Sequence, residues 1–175
     1  MNSTEEKIKT LLLTAIILFS PTSYAAETYA RTGITASYLV GYSKLQNVGG
    51  FNTPETYGYR LGFQGDRLGV SYGQSSLGQF TLSNSSDNYV GVDTNEFLIS
   101  YRSTSNGASL IFYYGLADWN LVNSTPSSQH LNTGTSPVMG IGLKMGNNLG
   151  ILLTAMYYED ITDSDILSVN IGINY

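Results

Sequence analysis

The stretch Ile166-Leu167-Ser168-Val169-Asn170-Ile171-Gly172-Ile173-Asn174-Tyr175 decides the fold. Leu167, Val169, Ile171, Ile173 and Tyr175 alternate with Ser168, Asn170, Gly172 and Asn174. Successive side chains of an extended strand point to opposite sides of the backbone, so a period of two gives this segment one greasy face and one small, polar face. In a helix the same residues would be scattered around the circumference.

Working back toward the N-terminus, the same period recurs at about 33–42, 56–65, 67–76, 95–103, 109–118, 138–146 and 149–158, which with 166–175 makes eight predicted strands. Most span roughly nine to eleven residues, the length a tilted strand needs to cross a bilayer. Their greasy faces carry residues such as Tyr38, Val40, Tyr59, Leu61, Phe63, Phe97, Ile99, Ile141 and Leu153, and none of the positions assigned to that face is charged. The opposite faces carry glycines together with Arg60, Glu96, Arg102 and Lys144. In the fifth strand Ile111 and Tyr113 make both faces apolar.

Alternation alone does not say which face meets the exterior. A soluble, lipocalin-like barrel with an apolar pocket and a membrane barrel with an apolar outside are inside-out versions of one pattern. Glycine-rich faces with four charges make a poor water-facing surface. The same faces suit the narrow interior of an eight-stranded barrel, where small residues leave room for a few long polar ones. The expected fold is therefore an all-β, eight-stranded antiparallel transmembrane barrel, with tyrosines such as Tyr42, Tyr57, Tyr157 and Tyr175 in interfacial girdles.

The connections give a second indication. Short, turn-forming sequences at 64–67, 104–107 and 146–148 alternate with the segments 43–55, 77–94, 119–137 and 159–165, which are mostly longer and rich in Ser, Asn and Thr. Short periplasmic turns and long extracellular loops alternate in this way in bacterial outer-membrane barrels. The last strand is expected to close against the first, because an open sheet edge in hydrocarbon leaves backbone groups unpaired.

Residues 1–25 have the form of a secretory signal peptide. Lys7 and Lys9 precede the apolar run Leu11 to Phe19, and Ser23-Tyr24-Ala25 supplies small residues for cleavage before Ala26. The run is too short for a helical span. Residues 26–175 are then the barrel domain. Composition agrees with this reading. Only 12% of the 175 residues are charged, about half the share usual in a soluble domain. There is no Cys, which excludes disulfides, thiolate metal sites and a cysteine nucleophile. A net charge of -5 argues against a nucleic-acid partner.

Several segments resemble the Ail/OmpX/Lom family of small outer-membrane proteins, over roughly residues 29–175. Gly49-Gly50-Phe51-Asn52 followed by Tyr59-Arg60 is similar to that family's first hairpin. Tyr101-Arg102 matches a Tyr-Arg pair before its second periplasmic turn, and Tyr113-Tyr114-Gly115-Leu116 its fifth strand. Tyr158-Glu159 begins the last loop, and Val169 to Tyr175 resembles the family's closing alternation. The chain departs from the pattern in ending on Tyr rather than Phe and in carrying Ile99-Ser100 where Gly-Pro is common. The resemblance implies a barrel at the cell surface, embedded in outer-membrane lipid and lipopolysaccharide. It also implies folding by the barrel assembly machinery through a C-terminal signal of Val169, Ile171, Ile173 and Tyr175. Some members promote host attachment, entry or resistance to complement, so host cell-surface, matrix or complement-regulatory proteins are implied partners. Those activities lie in the loops, which transfer less safely than the fold.

Arg60, Glu96, Arg102 and Lys144 are read as a structural polar network filling the bore, with Glu96 expected to pair with Arg60 or another of these bases. Neither a catalytic site nor a cofactor is expected. His130, the single histidine, stands in the third external loop without a recognisable motif around it. Four carboxylates in the fourth loop, Glu159, Asp160, Asp163 and Asp165, match no calcium-binding spacing. Phe80, Tyr89 and Trp119, in or beside external segments, are candidate contacts for a protein partner. Three functions follow: a surface protein acting through its loops, a structural envelope barrel without a dedicated ligand, and a lipid A-modifying enzyme.

Overall fold

The computed structural model describes residues 32–46, 53–81, 89–105, 108–123, 133–146, 149–161 and 164–175. The signal-peptide segment 1–25 and His130 lie outside them. All regular structure among the described residues is extended. The strands are β1 (Gly33–Leu45), β2 (Glu55–Gln64), β3 (Leu68–Thr81), β4 (Tyr89–Ser105), β5 (Ala108–Asn123), β6 (Thr133–Met145), β7 (Gly150–Ile161) and β8 (Ser164–Asn174). Each pairs antiparallel with its sequence neighbours, and β8 returns to β1, so the sheet is a closed barrel in the order of the chain. At this seam Tyr38 faces Ile173 and Val40 faces Ile171. The ladder runs to the last residue, where Tyr175 N donates to Ala36 O at 2.8 Å and Ala36 N donates back at 3.0 Å.

Register puts the period-two pattern to use. Ile34 pairs with Phe63, Tyr38 with Tyr59, Val70 with Ile99 and Tyr72 with Phe97, so the apolar sets of adjacent strands lie on one face, and that face is the outside. Ile34, Leu61, Phe63, Val70, Ile99, Ile151 and Ile171 are all exposed. A continuous apolar exterior of this extent is foreign to a water-soluble monomer.

The apolar belt has a visible upper limit. On β3 the outward residues are Leu68, Val70 and Tyr72, then Gln74 and Ser76. On β4 they are Tyr101, Ile99 and Phe97, then Asn95 and Asp93. On β5 Leu110 to Leu116 give way to Asp118 and Asn120. The transition is sewn together on the outer surface: Tyr59 donates its hydroxyl to Gln74, while Gln74 Nε2 and Tyr72 OH donate to Asn95 Oδ1 at 2.8 and 3.2 Å. Above that line β3, β4 and β5 continue as a polar-faced extension, which is why they run to 14, 17 and 16 residues.

The structure extends several predicted strands on the loop side. β4 begins at Tyr89 instead of 95, β6 at Thr133 instead of 138, and β7 and β8 reduce the fourth loop from 159–165 to 162–163. Near this last hairpin Asp160 takes a positive φ of 57° and the ladder shifts register between Tyr158 and Ile161. Asp165 accepts from Tyr157 OH at 2.5 Å and from Asp160 N at 3.1 Å, so its carboxylate ties the hairpin together.

Candidate functional site: the bore and the loop-side rim

A closed eight-stranded barrel has an interior just wide enough to be filled by side chains. Inward residues on the turn side include Gln64, Ser100, Arg102 and Lys144, all buried. At mid-height sits an ion pair: Arg60 Nη2 lies 2.9 Å from Glu96 Oε2, and Arg60 Nε donates to the same oxygen at 3.0 Å. The other carboxylate oxygen accepts from Tyr158 OH at 2.6 Å and Thr94 Oγ1 at 3.3 Å. The Arg60 guanidinium also lies over the Tyr113 ring, 5.5 Å from its centroid. Glu96 is 0% exposed. A charge so deep persists because both of its oxygens are hydrogen-bonded and its partner is held in place.

The sequence arranges this pair through a glycine. Arg60 is opposite Gly73 in the β2–β3 ladder, and Gly73 is opposite Glu96 in the β3–β4 ladder. The Arg60 side chain therefore crosses the intervening strand to reach its partner, and a Cβ at position 73 would run into Arg60 Cγ. Close approach of this kind is a reason for glycine inside a strand.

Arg102 has another task. Its Nη2 donates to Gly65 O at 2.9 Å and Asp66 O at 3.3 Å, and its backbone N donates to Arg67 O at 2.6 Å, fastening the β2–β3 turn to β4. Arg60 and Glu96 are thus brought into contact, whereas Arg102 and Lys144 stand in the turn-side half, away from that pair.

The loop-side half corrects the expectation of a small, polar interior. Leu77, Phe80, Val92, Leu98, Ala117, Val138, Met156, Tyr158, Ile161 and Ile166 form one buried apolar cluster inside the barrel. β7 is apolar on both faces, so alternation gave no signal that Leu152, Met156 and Tyr158 point inward. Tyr158, a central partner of Glu96, was missed for this reason; Tyr113 falls on the fifth strand, whose phase was the least defined.

Two candidate partner contacts are corrected by the same cluster. Phe80 is 2% exposed. A register shift between Ser76 and Gln79, where Gly78 has φ 92°, turns both Leu77 and Phe80 into the core. Trp119 packs against the cluster, and its Nε1 donates to Ser136 Oγ at 2.9 Å. Neither ring is presented outward as an anchor. Tyr89 pairs with Thr81 at the start of β4.

A closed barrel of eight strands, apolar outside and filled inside, defines the class: it has the fold of small outer-membrane β-barrels. Solved structures agree at this level. The chain is similar to neisserial surface protein A (TM-score 0.68, 10% identity, covering 81% of this chain and 96% of that one). It is similar to Ail, the attachment invasion locus protein of Yersinia pestis, in complex with the heparin analogue sucrose octasulfate (TM-score 0.58, 16% identity, 82% and 96%). The N-terminal barrel domain of Pseudomonas aeruginosa OprF aligns as well (TM-score 0.55, 14% identity, 83% and 100%). The resemblance to the Ail/OmpX/Lom family thus extends to three dimensions as a likeness of fold. No family model matches the chain, and no curated protein matches it by sequence.

Proposed function

We propose that the protein is exported by the signal peptide 1–25, inserts in the outer membrane of a Gram-negative cell and acts through its loop-side end as a surface protein in host attachment, invasion or serum resistance. The observation that carries this reading is the pairing of an apolar outer belt with a filled bore. The belt suits lipid and the inner-leaflet and lipopolysaccharide interfaces, while the buried cluster and the Arg60–Glu96 pair leave no evident path for solutes. Function is thereby left to the rim. The C-terminal residues Val169, Ile171, Ile173 and Tyr175 suit recognition by the barrel assembly machinery.

Rim charge bears on the partner. Ail has been solved with a heparin analogue. Among the described residues of this chain Glu55, Asp93, Asp118, Glu159, Asp160 and Asp165 stand on the loop side against Lys44, a balance that repels polysulfated chains. Host proteins with basic or neutral faces fit better than sulfated glycans. The inward turn of Phe80 and Trp119 favours the second reading, a structural envelope barrel without a dedicated ligand.

Deleting the gene and scoring host-cell adhesion and serum survival separates the two. Loss of either phenotype, restored by the intact gene but not by one with exchanged loops, supports the surface role; unchanged values in both assays leave the structural role. A His130→Ala protein should restore the phenotype fully. If it fails, and lipid A examined by mass spectrometry is altered, an enzyme is indicated.

A further inference from the structure

Just above the apolar belt, the outer face of the sheet carries a continuous polar row. Tyr59 stands opposite Gln74, Gln74 opposite Asn95, Asn95 opposite Asp118 and Asp118 opposite Thr135, so one outward side chain from each of β2 to β6 lies beside the next. All five are exposed. The outward row beneath, two residues or about 7 Å lower, is Leu61, Tyr72, Phe97, Leu116 and Pro137, the top of the lipid-facing belt. The surface thus passes from apolar to hydrogen-bonding in a single step.

The polar row is organised by its own hydrogen bonds. Gln74 Nε2 and Tyr72 OH both donate to Asn95 Oδ1, at 2.8 and 3.2 Å, and Thr135 Oγ1 donates to Asp118 Oδ1 at 2.6 Å. With its oxygen engaged in this way, Asn95 has the donor Nδ2 to offer a ligand, and Asp118, directly opposite, has the acceptor Oδ2. Such a donor–acceptor pair beside the rings of Tyr59 and Tyr72 matches a sugar, whose hydroxyls both give and accept hydrogen bonds and whose C–H faces lie well on aromatic rings. A phosphate fits poorly. Neither this row nor the next one up, Tyr57, Ser76, Asp93, Asn120 and Thr133, contains Lys or Arg, and Asp93 and Asp118 repel an anion.

We infer that this row is a seat for the amino-sugar headgroup of lipid A, held through its hydroxyl and amide groups and not through its phosphates, with the acyl chains running down the belt over Phe97 and Leu116. The inference rests on the outer-membrane reading above and deepens it. The row continues the lipid-facing belt without a break, so a glycolipid that covers the belt brings its headgroup to this height, the level at which tyrosine rings gather in membrane proteins.

The test inserts the full protein in phosphatidylcholine vesicles, transfers it to a neutral detergent with EDTA, adds dephosphorylated lipid A and counts bound lipid by native mass spectrometry. A retained lipid A is expected, with diacylglycerol of the same chain length held about tenfold more weakly. Asn95→Leu, which raises the apolar belt by one row, should weaken lipid A retention about tenfold, and Asp118→Ala should act in the same direction. Asn95→Gln should retain the lipid, and Lys44→Gln, which removes a loop-side base, should change nothing. Equal retention of diacylglycerol, full retention in both Asn95→Leu and Asp118→Ala, or binding that requires the phosphates and Mg2+ would overturn the inference. So would the soluble disaccharide chitobiose binding as firmly as the lipid, which would make the row a reader of free glycans. A chain that inserts in vesicles but holds no lipid A overturns this inference alone; one that fails to insert overturns the membrane reading with it.

Discussion

The two halves of the bore are built by opposite means. On the turn side, short and polar residues and glycines leave space around Arg60, Arg102 and Lys144, and side chains reach across to fasten a turn. On the loop side, long apolar residues from six strands close on one another as in the interior of a soluble protein. The Arg60–Glu96 pair lies between them, with Tyr158 contributing to both: its ring belongs to the apolar cluster and its hydroxyl reaches the carboxylate. A membrane barrel of this kind is therefore held by two interiors. Lipid stabilises the outside of the belt, and a small hydrophobic core holds the polar-faced extension of β3 to β5, which lies above it.

If the ion pair joins the halves, removing one partner should have the largest effect. Glu96→Ala is expected to cost about 3–5 kcal/mol, because Arg60 is left charged and buried. Urea unfolding in lipid vesicles, followed through Trp119 fluorescence, measures it. Replacing both partners, Arg60→Met with Glu96→Leu, should recover most of the loss. A double variant as unstable as the single one would mean that the pair is not the source.

Phe80 tests the loop-side core. Phe80→Ala should destabilise by about 3–4 kcal/mol in the same assay, the usual cost of emptying a core aromatic site. A change within about 0.5 kcal/mol would make Phe80 a surface residue and dissolve the contrast between the halves. The belt itself is tested by Val70→Arg, between Leu68 and Tyr72 on the outer face of β3, which should cost about 2–4 kcal/mol toward the bilayer midplane; near-neutrality would argue that water, not lipid, surrounds β3. Smaller still, Gly73→Ala should cost about 1–3 kcal/mol by obstructing the path of Arg60. Adding Arg60→Ala should remove most of that penalty, since the blocked side chain is then gone.

The eight strands were legible because lipid imposes a strict two-residue period wherever it touches the sheet. Tyr72, Phe97 and Leu116 mark the upper reach of that signal, and the predicted strands end a short way above it. Farther up, Asn95, Asp93 and Asp118 face outward as polar residues, so the alternation that locates a strand disappears although pairing continues. The termini of β4 and β6 were misplaced for this reason. Turn-side ends were read closely, since Gly, Asn and Asp announce them and no extension follows.

The interior was less legible. Arg60, Glu96, Arg102 and Lys144 stand out in a sequence as charges on a small-residue face. The pairing of the first two depends on Gly73, a residue that identifies itself only once the three strands are in register. Tyr158 lies in an apolar run where both faces look alike. Phe80 and Trp119 resembled loop aromatics because nothing local shows the register shift at Gly78, and only the shift turns Phe80 inward.

That register shift also fixes how the loop-side strand ends are mounted. With Leu77 and Phe80 buried and β4 paired to β5 as far as Asn123, the loop-side ends of β3, β4 and β5 are held by ladder and core together. Foreign peptides spliced between β3 and β4 or between β5 and β6 would be joined to strand ends held in this way, which makes this small barrel a platform for epitope display.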